Sequence, residues 1–171
     1  MPRGFTLLEL LITVSVLSIL LVTAAPSFSH VSQTVQMQSL ATELVGFLSQ
    51  SKSEAVMRNK KLYVRFSIPK DTEVQDGAWS LRLMDTASGA GNTILNLSGS
   101  AYSDLSVKHN FANNNISFDE VRGRPKRGRI EFFSTADQNL KLNAVLSNPP
   151  GRIKVCSQTG SQLYDYPKCP K

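Results

Sequence analysis

The spacing of apolar residues changes twice along this chain. From Phe5 to Ala25 the residues FTLLELLITVSVLSILLVTAA are apolar apart from hydroxyls and one charge, Glu9. As a helix rising about 1.5 Å per residue, the stretch would span roughly 31 Å, the thickness of a bilayer's hydrocarbon core. Pro26 predicts a kink, because proline removes a donor from the helical ladder. Beyond it Val31, Val35, Leu40, Leu44, Phe47, Leu48 and Ala55 recur largely at steps of three and four, so the helix resumes. No Asp, Glu, Lys or Arg occurs from Leu10 to Thr42, which suits a helix packed against other helices. Near Arg58-Asn59-Lys60 the period becomes two. Leu62, Val64, Phe66 and Ile68 alternate with Tyr63 and Arg65, predicting a half-buried strand. Trp79, Leu81 and Leu83 predict a second strand, and Thr93 to Leu97 a third. Residues 86–92 and 110–115 read as loops.

The exception inside the first stretch is Glu9. A carboxylate in an apolar helix is costly in lipid and calls for a partner. Met1-Pro2-Arg3-Gly4, a short basic leader, stands just ahead of it. If the chain were cut between Gly4 and Phe5, an ammonium on Phe5 would appear about one helical turn from Glu9. The pair would form within one chain or between staggered neighbours. The plain alternative is a signal anchor that tolerates a glutamate.

Arg3 to Leu10, RGFTLLEL, closely resembles the class III leader of type IV pilins and type II secretion pseudopilins. The resemblance implies that a prepilin peptidase cuts after Gly4 and that Phe5 is then methylated. It also implies that Glu9 meets a neighbour's N-terminus during assembly. An ordinary secretory signal fits less well: Thr23-Ala24-Ala25 is loosely like a cleavage site, but Pro26 follows at once. The implied setting is the bacterial inner membrane, single-pass with a periplasmic head, and afterwards a pilus or pseudopilus fibre. The implied partners are other pilins or pseudopilins, the peptidase and the inner membrane.

Charge adds a second theme. The net charge is +6, yet residues 1–107 hold eight basic and eight acidic side chains, so the excess lies wholly in residues 108–171. A localised excess is a candidate footprint for a polyanion or an acidic membrane surface, or simply a soluble basic face. Arg122, Arg124, Lys126, Arg127 and Arg129 place five bases in eight residues, flanked by Asp119, Glu120 and Glu131. Guanidinium forks chelate phosphate oxygens and release counterions from a nucleic-acid backbone; a solvated hairpin is the competing reading. In GRIKVC, Gly151 to Cys156, strand alternation puts Arg152 and Lys154 on one face while Ile153 and Val155 point to the core.

ISFDEVRGRPKRGRIEFF (Ile116 to Phe133) and PGRIKVC (Pro150 to Cys156) resemble the FimT/GspH branch of the pseudopilins. In that branch a Gly-Arg-x-Arg strand is linked to capture of DNA during natural transformation. The resemblance implies double-stranded DNA as a candidate partner, bound without sequence preference through Arg152 and Lys154. Lysine at the second basic position keeps the charge but loses the bidentate fork. Tyr164 and Tyr166 either stack on bases or pack beneath the C-terminal loop.

Cys156 and Cys169 are the only cysteines. In the periplasmic setting the resemblance implies, a disulfide is expected, contributing about 3 kcal/mol by loop-entropy reasoning. It would bring Lys168 and Lys171 near Arg152 and Lys154. Free thiols or a metal site are the alternatives, although a lone pair lacks the ligands zinc needs. For an enzyme the chain offers little: His30 and His109 lie far apart, and Gly89-Ala90-Gly91 lacks a phosphate-loop context. No catalytic residue, cofactor or metal is assigned. The expected fold is α+β: leader 1–4, membrane and assembly half-helix 5–25, periplasmic half-helix 26–58, and a β-rich head 59–171 with an antiparallel sheet.

Overall fold

The computed structural model describes residues 5–158 and 162–170, with the side chains of 23–30 outside that description. One helix, α1 (Leu7–Met57), precedes the strands β1 (Leu62–Phe66), β2 (Ser80–Met84), β3 (Thr93–Ser98), β4 (Leu105–His109), β5 (Asn115–Phe118), β6 (Gly128–Ser134), β7 (Lys141–Ser147) and β8 (Arg152–Ser157). The architecture is α+β. The chain divides into two units, Met1–Val35 and Gln36–Lys171.

Both ends of α1 are written locally. Thr6 opens it: its hydroxyl accepts the Glu9 N–H at 3.2 Å, satisfying a donor that the first turn cannot use. Asn59 closes it in the left-handed region at φ 46°, where an Asn is tolerated. Lys60 N–H then donates to Ala55 C=O and Asn59 N–H to Val56 C=O, both at 3.1 Å, the paired bonds of a Schellman ending. The helical backbone continues through Pro26 rather than stopping and restarting there. Proline's fixed φ is compatible with a helix, and what it forfeits is one hydrogen bond of a long ladder.

The strands form two four-stranded antiparallel sheets, in the orders β3-β2-β1-β5 and β4-β6-β7-β8, where one antiparallel sheet was expected. The second sheet needs β4 and β7, which the apolar pattern did not single out. In β4 the inward positions are Leu105, Val107 and His109, so a histidine takes the third core place and disguises the alternation. That ring is fully satisfied: Phe111 N–H donates to Nδ1 at 3.2 Å, which places the proton on Nε2, 3.1 Å from the Ile68 carbonyl. It also stacks on Phe66 with centroids 3.8 Å apart.

Met37, Leu40, Leu44 and Leu48 of α1 share one core with Leu62 and Val64 of the first sheet and Ile130, Phe132 and Ala144 of the second. All are inaccessible to solvent. Each large aliphatic side chain so buried stabilises the fold by about 1.5–3 kcal/mol. The carboxylate of Glu43 on the same helix accepts the Tyr102 O–H, and Ser39 Oγ lies 3.2 Å from that hydroxyl. Burial raises the Tyr102 pKa, and the bond to Glu43 raises it further.

Candidate functional site

The chain presents two candidate surfaces, one apolar and one basic. The apolar one is the first part of α1. Phe5, Leu7, Leu8, Leu10, Leu11 and every other large hydrophobic residue through Val22 stays more than half exposed. Thr13, Ser15 and Ser18 turn their hydroxyls back onto the carbonyls of Leu10, Leu11 and Val14 at 2.8–2.9 Å. Those hydroxyls therefore ask nothing of the surroundings, and apart from Glu9 the outer surface of the stretch is mostly hydrocarbon. Glu9 lies in the first turn, where the helix dipole favours a carboxylate. Among the described residues no helix is long and apolar enough to cross a membrane; the described side chains of the run end at Val22, short of the expected 5–25 span. Gly4 and the rest of the leader lie outside the described residues.

The basic surface is the outer face of the second sheet. Strand register builds it: Arg129 is paired with Val145 and Val145 with Lys154, so the three form one row across β6, β7 and β8. Neighbouring strands lie about 4.8 Å apart, which sets the two cationic residues about 10 Å from each other at the backbone. The next row pairs Ser147 with Arg152. Arg152, Lys154 and Arg129 are exposed while Val155 is buried and Ile153 packs partly against the core, the alternation expected for β8. Arg127 and Arg129 line one groove of about 460 Å³, together with Asn110, Asn143, Val145 and Pro170. Lys154 and Lys168 line a second, of about 280 Å³, which shares Val145 and Pro170 with the first.

The five-base run is thus divided. Arg127 and Arg129 join Arg152, Lys154 and Lys168 on this face. The backbone of Arg122 and Arg124 belongs to a turn between the two sheets, where Asp119 accepts the N–H groups of Arg124, Arg122 and Val121 at 2.6, 2.7 and 3.1 Å, while the Arg124 side chain lies against Gly151, next to Arg152. The Arg122 N–H most of all, then those of Arg124 and Val121, holds the Asp119 carboxyl below its ordinary pKa. Gly123 in this turn has φ +60° and sits so close to Lys52 that an added Cβ would lie 2.9 Å from its carbonyl oxygen. Lys126 is exposed, and its N–H bonds to Ser117 C=O at 2.9 Å. Lys171 lies outside the described residues.

Of the flanking acids, Asp119 keeps its negative charge beside Arg124 in the turn, and Glu131 is paired with Lys141 at 3.3 Å rather than with Arg129. Cys156 and Cys169 form a disulfide. It secures the segment after Tyr166 beside β8, where Ser157 N–H donates to Pro167 C=O and Cys169 N–H to Ser157 C=O. Tyr164 and Tyr166 are partly buried against the core, so packing rather than open display describes them. The residues sequence reasoning missed here are Asn143, Val145 and Ser147. Leu142, Ala144 and Leu146 point inward on β7, and reading that alternation would have turned Asn143, Val145 and Ser147 outward.

Comparisons with known proteins follow the same division. The prokaryotic N-terminal methylation motif matches residues 2–25, and the family described as type II transport protein GspH matches residues 40–164. A Pseudomonas aeruginosa protein named fimbrial protein is 31% identical over 83 residues, 48% of this chain and 53% of its own length. The chain thus spans about half the length of the curated relatives it matches. Two crystal structures of the P. aeruginosa type IV minor pilin FimU resemble it with TM-scores of 0.55 and 0.53 at 21% identity, covering 69% of this chain and 86% and 90% of theirs. At that identity the likeness concerns the fold: a helix and antiparallel sheets arranged as in a pilin. Because the GspH match runs from the buried part of α1 almost to the chain's last residues, the chain belongs to the GspH family of minor pilins and pseudopilins.

Proposed function

We propose that this chain is a fibre subunit cut after Gly4, methylated on Phe5 and assembled through α1, helping to initiate or tip a type IV pilus or a type II secretion pseudopilus. The observation that carries this reading is the uncovered hydrocarbon surface from Phe5 to Val22. At about 25 cal/mol per Å² such a surface is costly in water, which supports cover by lipid before assembly and by neighbouring helices afterwards. Before assembly the segment 5–25 anchors the chain in the inner membrane with residues 59–171 on the periplasmic side. Glu9 is the one charge in that surface and pairs with the new amine of Phe5 on a neighbour. Mass spectrometry of the protein from its native host tests the processing: the expected N-terminus is methylated Phe5, and retention of Met1 to Gly4 in the fibre would overturn it.

A second reading concerns the same subunit, and the register of the second sheet favours it. Two basic clusters that are remote in sequence share its outer face, with Arg127 and Arg129 on one side of Val145 and Arg152 and Lys154 on the other. Such a face suits double-stranded DNA held by its phosphates, without base readout. In detergent, the full chain is expected to retard a duplex of arbitrary sequence at low salt. Arg152→Gln with Lys154→Gln should abolish the shift and leave the thermal melt unchanged. A shift indifferent to these changes would leave the assembly role alone.

A further inference from the structure

We infer that the Cys156–Cys169 disulfide is a working part of the basic face: it holds the segment 167–170 against β8 so that Lys168 stands beside Lys154 as one wall of a phosphate-binding groove. The inference rests on the DNA reading given above and adds a positioning device to it.

The segment's position is on record in four contacts. Ser157 bonds it on both sides, accepting from Cys169 N–H at 2.9 Å and donating to Pro167 C=O at 2.8 Å. The disulfide links it to the outward-facing position of β8 next to Lys154. Asn143 Nδ2, on the floor of the larger groove, lies 3.8 Å from Cys169 Sγ. Pro170 borders both grooves, and Val145, the residue between Arg129 and Lys154, does too. Residues 167–169 thus run along the free edge of β8, and Cys169 and Pro170 reach over Val145, with Arg127 and Arg129 on one side and Lys154 on the other.

Two considerations make this more than a covalent staple for stability. Ordering a residue's backbone costs more than a single net hydrogen bond returns. Tyr166 packs against the core just before the segment, but among the described residues the backbone bonds of 167–170 are the two to Ser157, so we take the disulfide as what keeps the segment in place. It also fixes like charge against like charge, since Lys168 is brought to a face that already carries Arg152 and Lys154. A bound phosphate backbone relieves that repulsion, and an uncharged ligand does not.

The test measures affinity of the full chain in detergent for a short duplex DNA across a salt series. Cys156→Ser with Cys169→Ser keeps every cation and removes only the latch. It should weaken binding about fivefold, the cost of reordering a few residues on binding, and lower the salt slope by about one phosphate contact. Lys168→Gln leaves the disulfide intact and alters an exposed residue. It should lower the slope by the same amount with an unchanged melt, and it decides the matter if the double cysteine variant fails to fold. Equal affinity in Lys168→Gln overturns the inference, as does equal or tighter binding by a folded double cysteine variant, which would make the latch idle or an obstruction. If wild type binds and Arg152→Gln with Lys154→Gln does not, the DNA reading survives that failure. If wild type itself does not bind, the DNA reading falls and takes this inference with it.

Discussion

The two parts of α1 use the same kinds of residue to opposite ends. From Phe5 to Val22 the leucines, isoleucines and valines remain exposed. From Met37 to Ala55 the residues of one stripe are buried, most of them completely, in a core this chain supplies for itself. Among the described residues of Gln36–Lys171, the large hydrophobics left exposed are Val56, Met57 and Val121. A segment with its own cover behaves as part of a folded domain. One without it behaves as half of an interface whose other half is lipid or another subunit. The contrast teaches that helical length is no guide to where a helix's stability comes from, since burial of a face decides that.

The sharpest way to break this comparison is at Glu9. Glu9→Ala should block incorporation into fibres while membrane insertion persists, measured by fractionating the fibre and membrane pools; normal assembly would remove the pairing from the account. Next come matched truncations of one residue type. Leu44→Ala, at a site with no solvent exposure, should cost about 2–5 kcal/mol in a denaturant titration. Leu11→Ala, at a site 57% exposed, should change the same titration by less than about 0.5 kcal/mol. Equal losses would mean that the first segment is packed by this chain after all.

A smaller effect is expected at Gly123. Gly123→Ala must bear a positive φ and a Cβ 2.9 Å from the Lys52 carbonyl oxygen, costing about 1–3 kcal/mol by the same titration. The smallest is a pH dependence. Burial pushes the His109 pKa below its ordinary value, against the upward pull of the Ile68 carbonyl and Asp71. Below about pH 6.5 the unfolded chain takes up a proton that the folded ring resists, so the unfolded state binds more protons and stability falls as pH falls. Urea midpoints should therefore be flat above that pH and decline beneath it, and His109→Gln should lessen the decline. A midpoint that rises on acidification would contradict the buried neutral ring.

By itself the sequence determined what depends on neighbours along the chain. The apolar run, its single acid, the end of the helix at Asn59 and the alternation in β1, β2 and β8 are each set by a few adjacent residues. They could be read because side-chain period and capping are local properties. Tertiary structure alone decided that the strands would form two sheets. Strand pairing joins residues far apart in the chain, and in β4 a satisfied histidine occupies a core position that composition reads as polar. The same pairing set Arg129 in line with Lys154, while Asp119 drew the backbone of Arg122 and Arg124 into a turn beside α1. Charge density is written in the sequence, but which charges share a face follows from register, and register is fixed only when a whole sheet closes over its core.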